Sequence, residues 1–362
     1  MCDYIVGGRL LCGEDFETLS GRVYIESGRI VDIEERFNVK PNDCHAYGIV
    51  LPSFVNAHTH LGDSIIKDVV FDSLDNLVKP PDGLKHRALR ETNSKTKIEA
   101  MNHSLLDAIA TGTAVLVDFR EGGVQGLKEL MAAQKNLKNI RVFALGRPKN
   151  DGIDYIVEDD SDSVLDFASG IGISGVRDLN TSKISKIANK AKKRGKILAI
   201  HAGERDEKDI NAAIALRPSF LVHMTHASKH QIESGIPIVV CPRSNLVTGV
   251  GASFCRPPIS SMVKMTTVGL GTDNVMFNSL NMFAEMEFTS KAYLHNDLEV
   301  LRMATINGAR ILNISHEIGS VDVGKQASLM VLNEHSNNLF GVQNFVSGIV
   351  RRARPDDIIF TS

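Results

Sequence analysis

The chain of 362 residues has no tryptophan, five tyrosines and almost no excess of charge of either sign. Its 41 lysines and arginines stand against 43 acidic residues, which gives a formal net charge of −2. Proteins that bind nucleic acids or anionic membranes through electrostatics need a basic surface, and this balance does not provide one. The shortage of aromatic side chains also argues against a stacking platform for single strands. We therefore expect no nucleic-acid partner.

Long hydrophobic runs and paired cysteines are also missing. No run of about 18 apolar residues occurs, so we expect neither a spanning helix nor a membrane partner. The five cysteines (Cys2, Cys12, Cys44, Cys241 and Cys255) form no CxxC pair, which argues against a zinc ribbon or a disulfide framework. The first residues, MCDYIVGGRLLCGED, lack the basic and apolar regions of a signal peptide. These features predict a cytoplasmic protein.

Strand-like segments occur at both ends of the chain. DYIVGGRLL and RVYIESGRIVDIEE lie near the start, and ASLMVLNE and FGVQNFVSGIVRRA lie near the end. A hydrophobic content of 43% is ordinary for a globular protein, and the length suits two domains at about 150 residues each. Either end alone is barely large enough to bury a core. We predict one small β-sandwich domain formed by residues 1–50 and 320–362.

The middle of the chain alternates apolar, β-branched runs with amphipathic helical segments. Continuous hydrophobic strands between helices are typical of a parallel sheet that is covered on both faces. Eight such units favour a (β/α)8 TIM barrel over residues 51–319. The interval from Leu61 to Thr96 is expected to be an irregular loop over one end of the barrel. His86 in this loop could reach a substrate, but a solvated loop histidine is favoured. The eight predicted strand segments are GIVLPSFVNAH, TAVLVDFRE, IRVFALGR, GIGISGVRD, KILAIHAGE, SFLVHMTH, IPIVVCPR and TTVGLGTD.

Histidine or aspartate ends four of these strands, where the chemistry of such barrels takes place. The residues are His58 and His60 on the first strand, His201 on the fifth, His223 on the sixth and Asp273 on the eighth. His58 and His60 can both face the barrel mouth because residues i and i+2 of a strand point to the same side. Imidazole and carboxylate groups are the ligands of a catalytic zinc ion with an open position for water. The recurrence at four strand ends, rather than the HxH pair alone, predicts a metal site.

Longer motifs accompany these residues. PSFVNAHTHLGDS, IHAGE, LVHMTH, CPRSNL, GLGTDN and NSLNMFAEM follow one another, and ATINGARIL and GSVDVGKQASLMVL come after them. The set resembles the amidohydrolase superfamily, and most closely its aminohydrolase branch of cytosine, adenosine-type and S-adenosylhomocysteine deaminases and chlorohydrolases. The resemblance covers the whole chain. It implies a metal-dependent hydrolase that acts on C–N bonds of small molecules.

The resemblance also implies roles for individual residues. It makes His58, His60, His201 and Asp273 the ligands of one divalent metal, expected to be Zn²⁺ with Fe²⁺ as the alternative. It makes Glu204 the general acid/base, and His223 the residue that polarises or orients the attacking water. Asp273 has a second role, in which it accepts a hydrogen bond from that water. His226 is the weaker candidate for the role of His223 and is otherwise a supporting residue or a substrate contact.

The implied chemistry is hydrolytic deamination. A bound Zn²⁺ lowers the pKa of water from about 15.7 to about 7, so hydroxide is available to attack a carbon that carries an amino group. Glu204 would protonate the adjacent ring nitrogen and then the leaving ammonia, help that is typically worth about 10²–10⁴-fold. The alternative for Glu204 is a solvated carboxylate in the charged run GERDEKD. Its position three residues after His201 favours the catalytic role.

The fourth strand bears on the number of metals. Hydrolytic branches of the superfamily often hold two metals bridged by a carboxylated lysine at this strand end. Here Arg177 and Asp178 stand at that place, and Lys183 lies too far along the chain. One metal and a deaminase are therefore favoured. A mononuclear amidohydrolase that cleaves a cyclic or linear C–N amide bond is the first alternative, and a non-catalytic scaffold is the second.

The substrate is indicated by departures from the family pattern. Asn274 replaces the glycine of TDG, and Val240 replaces the histidine before CPxSN, so the pocket wall differs from that of relatives. Asn245 of CPRSNL is a further candidate substrate contact. We predict an amino-substituted purine, pyrimidine or pterin. A homo-oligomer is left open.

Three arginines at neighbouring strand ends could bind an anionic substituent of that substrate. Arg120, Arg147 and Arg177 end the second, third and fourth strands, and arginines bind carboxylates or phosphates through paired hydrogen bonds. The alternative is internal pairing. The acidic partners for it are Asp118, Glu121 and Asp178.

Overall fold

A computed structural model describes residues 3–148, 160–177, 180–249 and 257–362. The chain divides into two compact units, one of residues 1–55, 108–114 and 281–362 and the other of residues 56–107 and 115–280. The domain bounds 1–50, 51–319 and 320–362 stay a prediction. Within the described ranges, no helix has both the length and the apolar character that crossing a membrane requires.

The described residues contain fifteen strands. They are β1 Tyr4–Cys12, β2 Glu17–Glu26, β3 Arg29–Glu35, β4 Ala46–Pro52, β5 Phe54–His60, β6 Thr113–Arg120, β7 Arg141–Gly146, β8 Gly170–Ile173, β9 Ile197–Ala202, β10 Phe220–His223, β11 Ile238–Val240, β12 Val268–Leu270, β13 Asp273–Asn274, β14 Leu329–Leu332 and β15 Ile358–Thr361.

The same residues contain fourteen α-helices. They are α1 Leu74–Val78, α2 Leu84–Glu91, α3 Ser94–Ala110, α4 Gly123–Gln134, α5 Ser161–Phe167, α6 Thr181–Lys193, α7 Ile210–Ala215, α8 Lys229–Ile232, α9 Pro242–Val247, α10 Ile259–Met265, α11 Met282–Thr289, α12 Asp297–Ala304, α13 Ile306–Ile311 and α14 Phe345–Arg352. Short 3₁₀ turns lie at Pro41–Asp43, Leu61–Ile65, Glu207–Asp209 and Pro355–Asp357, and a π-turn lies at Ser290–Leu294.

Strands from both ends of the chain form one six-stranded sheet in the order β15-β14-β4-β1-β2-β3. Strand β1 pairs antiparallel with β2 and parallel with β4, and β14 pairs antiparallel with β4. One face buries a core that includes Val6, Leu10, Ile30, Val50 and Leu329. The prediction that the two chain ends combine in a β region apart from the barrel is confirmed.

The strand prediction for the last apolar stretch is wrong. Within FGVQNFVSGIVRRA the structure has helix α14, which follows Asn344. The Asn344 side chain accepts a hydrogen bond from the backbone N–H of Ser347, so it caps the helix. Val346, Ile349 and Val350 then fall at helical spacing, a pattern too short to be told from a strand by periodicity alone.

The second sheet is the predicted barrel. Its parallel strands β5 to β12 are neighbours in chain order, and β13 pairs with β5 at the far edge. Only Gly271 and Thr272 separate β12 from β13, so the sheet closes on itself. A Cβ atom on Gly271 would lie 2.7 Å from the Cβ of His58, which explains why glycine stands at this crossing. All eight predicted segments contain a barrel strand.

Two parts of the barrel prediction need correction. The first segment, GIVLPSFVNAH, is split, because β4 belongs to the six-stranded sheet and only β5 belongs to the barrel. The interval 61–96 is not an irregular loop, since a 3₁₀ turn and helices α1 and α2 occupy much of it and α3 begins at Ser94. We call residues 61–93 the β5–α3 segment.

Candidate metal centre and active site

Four side chains from three strands meet at the carboxyl end of the barrel. His58 and His60 end β5, His201 lies in β9 and Asp273 begins β13. Their ligand atoms lie within 4.8 Å of one another, and all four residues are buried. The Nε2 atom of His58 is 3.1 Å from Asp273 Oδ1 and 3.3 Å from His201 Nε2, and the Nε2 atom of His60 is 3.4 Å from His201 Nε2. The structure thus brings together the four residues that the sequence predicts as ligands.

Hydrogen bonds to the far side of two rings fix their tautomers. The Nδ1–H of His201 donates to the carbonyl oxygen of Ile173 at 2.9 Å. The Nδ1–H of His60 donates to Glu121 Oε1 at 3.0 Å. Because these nitrogens carry the protons, the two Nε2 atoms carry lone pairs that point toward each other.

This donor set fits a divalent metal. Burial lowers the pKa of His58 to about 3 and also lowers the pKa of His201, so both rings are neutral near pH 7. Converging lone pairs repel unless a cation lies between them. A tetrahedral zinc site with ligands at about 2.0–2.1 Å separates its ligand atoms by about 3.3 Å, which is close to the three distances of 3.1, 3.3 and 3.4 Å given above.

Asp273 is held as a carboxylate at the edge of this cluster. Burial alone would raise its pKa, but the hydrogen bond to His58 and the neighbouring imidazoles hold the pKa well below its usual range. Its second oxygen, Oδ2, accepts a hydrogen bond of 2.6 Å from the Ser244 hydroxyl. Asp273 has a φ of +61°, and His223 a φ of +71°, a conformation that is costly for residues other than glycine and recurs at functional sites.

Glu204 and His223 lie beside the cluster on the β9–β10 side. The Oε1 atom of Glu204 is 3.7 Å from His223 Nε2, and the Glu204 side chain is 20% exposed. Burial raises the pKa of Glu204, against the opposing effect of His223. The Nδ1–H of His223 donates to Asn245 Oδ1 at 2.9 Å, which leaves Nε2 of His223 facing Glu204.

A cavity of about 400 Å³ opens onto these groups. His60, His201, Glu204, His223 and Asp273 all line it, so three of the four predicted ligands and the predicted acid/base face one space. A volume of this size suits a small molecule. A second cavity of about 410 Å³ has a wall in common with the first. The residues that line both are Pro80, Pro81, His86, Glu121 and Arg147.

The three arginines do not form one clamp. Arg120 is 2% exposed and is bonded to Glu121, so internal pairing, the alternative reading of the sequence, describes it. Arg177 lines the first cavity, but its guanidinium hydrogen-bonds to Asp206; Asp178, its predicted partner, lies outside the described residues. Arg147 lines both cavities.

Asn245 and His226 also differ from their predicted place. Asn245 is 1% exposed and bonds to His223 and to Thr225 Oγ1, so it lies behind His223 rather than in the cavity. His226 is partly buried, donates its backbone N–H to the carbonyl of Gly203 and lines neither cavity. Their assignment as substrate contacts is therefore not supported by this geometry.

Sequence reasoning missed three residues of the site, Lys85, Glu121 and Ser244. Lys85 comes from the β5–α3 segment and is 3% exposed. His86 of the same segment is partly buried and lines both cavities, so the geometry favours the alternative in which it reaches a substrate over that of a solvated loop histidine. Glu121 was considered only as an arginine partner. Ser244 lies in CPRSNL, a motif in which the sequence predicts a role for Asn245 but none for the serine.

A smaller donor group overlaps the first. His223, Cys241 and Asp273 also place one ligand atom each within 4.8 Å of the others. Because it shares Asp273 with the four-residue cluster, it does not describe an independent second site. In the described ranges the geometry thus favours one metal per chain.

Comparisons with known proteins agree with this architecture. The model of the amidohydrolase family matches residues 49–351. An uncharacterized protein of Methanocaldococcus jannaschii is 34% identical over 98% of this chain and 96% of its own length. A 5-methylthioadenosine/S-adenosylhomocysteine deaminase of Caldanaerobacter subterraneus is 26% identical over 96% of this chain and 88% of its own.

Among solved structures, an adenosine deaminase of Xanthomonas campestris with bound zinc superposes with a TM-score of 0.83. The two sequences are 19% identical, and the match covers 99% of this chain and 90% of that one. This likeness concerns the fold. With a family model that matches most of the sequence and a relative of 34% identity over nearly its whole length, the chain belongs to the amidohydrolase family.

Proposed function

We propose that the protein is a zinc-dependent deaminase that hydrolyses the amino group of a heterocycle and releases ammonia. One observation supports this function above the others. Three members of the four-residue donor cluster, His60, His201 and Asp273, face the same cavity of about 400 Å³ as Glu204, a carboxyl group with a raised pKa. Zinc is favoured by the three-imidazole, one-carboxylate donor set and by the bound zinc of the Xanthomonas campestris deaminase.

In this proposal His58, His60, His201 and Asp273 hold the metal. A divalent metal there supplies Lewis acidity, which makes water acidic enough to react near neutral pH. Asp273 accepts a hydrogen bond from the attacking water and orients it toward the carbon that bears the amino group.

Glu204 moves the protons. Its partly exposed carboxyl takes a proton from the water and gives it to the ring nitrogen beside the reacting carbon. It then takes the proton of the hydroxyl group now on that carbon and delivers it to the departing amino group, so water is consumed, a carbonyl forms and ammonia leaves. The imidazole of His223, fixed by Asn245, orients the water opposite Glu204. A buried carboxyl with a raised pKa suits this alternation between acid and base.

Adenosine derivatives are the first substrates to test. The Caldanaerobacter subterraneus relative is named for 5-methylthioadenosine and S-adenosylhomocysteine. The second cavity offers room for a substituent beyond the heterocycle, and Arg147 lies where the two cavities meet. We infer that the substituent is anionic, and that Arg147 contacts it.

The decisive experiment measures ammonia release by zinc-loaded protein. The panel contains adenosine derivatives, aminopurines, aminopyrimidines and pterins, each with and without an anionic substituent. Ammonia from a panel member supports the proposal, and a preference for the anionic form that is lost in Arg147→Ala supports the role of Arg147. Cleavage of cyclic amides without ammonia from any panel member would overturn the deaminase in favour of an amide hydrolase.

The cellular setting is also a proposal. The described cysteines Cys12, Cys44 and Cys241 are free thiols, which fits a reducing compartment such as the cytoplasm. Assembly into a homo-oligomer stays a prediction that a solution mass measurement would decide.

A further inference from the structure

We propose that Glu121 is a positioning residue of the metal centre, which fixes the ring of His60 as a ligand while Lys85 and Arg120 hold its carboxylate in place. This inference rests on the metal-dependent function proposed above. Glu121 directly follows β6 and is 9% exposed. Among the five residues that line both cavities, it is the one buried charge.

Each carboxylate oxygen of Glu121 is engaged. Oε1 accepts the Nδ1–H of His60 at 3.0 Å and lies 2.5 Å from the ammonium nitrogen of Lys85. Oε2 accepts a hydrogen bond of 2.9 Å from the Arg120 guanidinium. A carboxylate bound on both oxygens cannot swing into the cavity to exchange protons with a substrate. The geometry therefore points to orientation of His60 rather than to catalysis.

The bond to His60 has a direct consequence for the ligand atom. With the proton held at Nδ1, Nε2 of His60 presents its lone pair toward Asp273 Oδ1 at 3.5 Å and His201 Nε2 at 3.4 Å. A carboxylate partner also makes the imidazole a more basic ligand than a neutral partner does. His201 has such a neutral partner, the carbonyl of Ile173. Glu121 therefore makes His60 a more basic ligand than His201.

The two cations are needed because a buried carboxylate without partners is strongly destabilising. Arg120 reaches Glu121 from the barrel strand itself and is held in turn by Asp118, 3.7 Å away. Lys85 reaches it from helix α2 of the β5–α3 segment. The carboxylate is fixed from two directions, so loss of either partner would let it move relative to His60.

The test measures Zn²⁺ affinity by competition with a colorimetric chelator, and needs no substrate. Glu121→Gln keeps the shape but removes the charge, and we expect its affinity to fall by about 10–100-fold. Glu99→Gln is the matched control, because Glu99 lies on α3 with its side chain 60% exposed, away from both cavities. Unchanged affinity in Glu121→Gln would overturn the inference. Failure of the unaltered protein to take up Zn²⁺ would instead overturn the proposed metal centre, and this inference with it.

Lys85 supplies an independent readout. The visible absorption of Co²⁺ bound in place of zinc reports ligand geometry. We expect Lys85→Met to alter that spectrum and Lys85→Arg, which keeps a cation, to restore it. Identical spectra for the unaltered protein, Lys85→Met and Lys85→Arg would overturn the role of Lys85. Thermal unfolding of each metal-free variant shows whether the change comes from the site or from the fold.

Discussion

Two glutamates flank the histidine cluster, and their surroundings push them in opposite directions. On the β6 side, burial would raise the pKa of Glu121, but Lys85, His60 and Arg120 together hold that pKa well below its usual range. On the β9 side, burial raises the pKa of Glu204, and the opposing effects of His223 and His60 do not cancel that rise. The same chemical group is therefore held as an anion on one flank and has a raised pKa on the other, which suits the proton-carrying role proposed for Glu204.

The largest effect should come from the cluster between the flanks. His201→Ala removes one of four ligands and opens a hole among buried polar groups. We expect the protein to bind less than one zinc ion per chain and its deaminase activity to fall by at least about 10³-fold. This loss corresponds to an increase of several kcal/mol in the activation free energy when the metal is missing. Metal analysis and ammonia release measure both. A variant that retained zinc and full activity would exclude this cluster as the metal centre.

The next effect separates the two flanks. Glu204→Gln should lower kcat by about 10²–10⁴-fold, since it removes the group that moves protons, while zinc affinity stays close to that of the unaltered protein. Glu121→Gln should weaken zinc binding first. If both variants lost zinc to the same degree, the division of labour between the two glutamates would be wrong.

The smallest effect is one of stability against pH, and its sign should differ between the flanks. The raised pKa of Glu204 means that folding is favoured by its protonated form, so this contribution is present below pH 4 and is lost as pH rises through the raised value. The lowered pKa of Glu121 means the reverse, a contribution that is present at neutral pH and lost in acid.

Thermal unfolding of the metal-free proteins measures this contrast. At pH 7–8 we expect Glu204→Gln to unfold a few degrees above the unaltered protein and Glu121→Gln a few degrees below it. The Glu204 difference should shrink as pH falls toward about 4, whereas the Glu121 difference should shrink only below about pH 4, as the unfolded chain takes up its proton before the folded one does. Shifts of the same sign for the two variants would contradict the opposed surroundings described here.

The barrel and the cluster of four donors could be predicted because their signals are local. Each apolar run marks a strand, and each strand carries its polar residue at the same end, as with His58, His201 and Asp273. Parallel strands in a barrel place those ends together whatever the details of packing. Sequence alone was sufficient for these residues.

The supporting residues could not be predicted because their partners are distant in the chain. Lys85 is an ordinary lysine of an amphipathic helix until the fold places it 2.5 Å from Glu121. For Arg120 the sequence leaves two alternatives open, the barrel mouth and internal pairing, and the burial of Arg120 beside Glu121 decides for pairing. Helix α14 was missed for the opposite reason, because a cap and three apolar residues give too short a pattern.

Strand β13 links the metal centre to the folding of the whole barrel. Asp273 both begins the strand that pairs with β5 and completes the donor set, and it meets His58 across 215 positions of sequence. Contacts between residues so far apart in the sequence form late in folding, because closing the long loop between them costs entropy before the contact stabilises the fold. A partly folded barrel therefore lacks the fourth ligand, and zinc would bind tightly only to the completed ring. By mass action the metal then stabilises the closed barrel as a unit, so zinc uptake is a measure of completed folding.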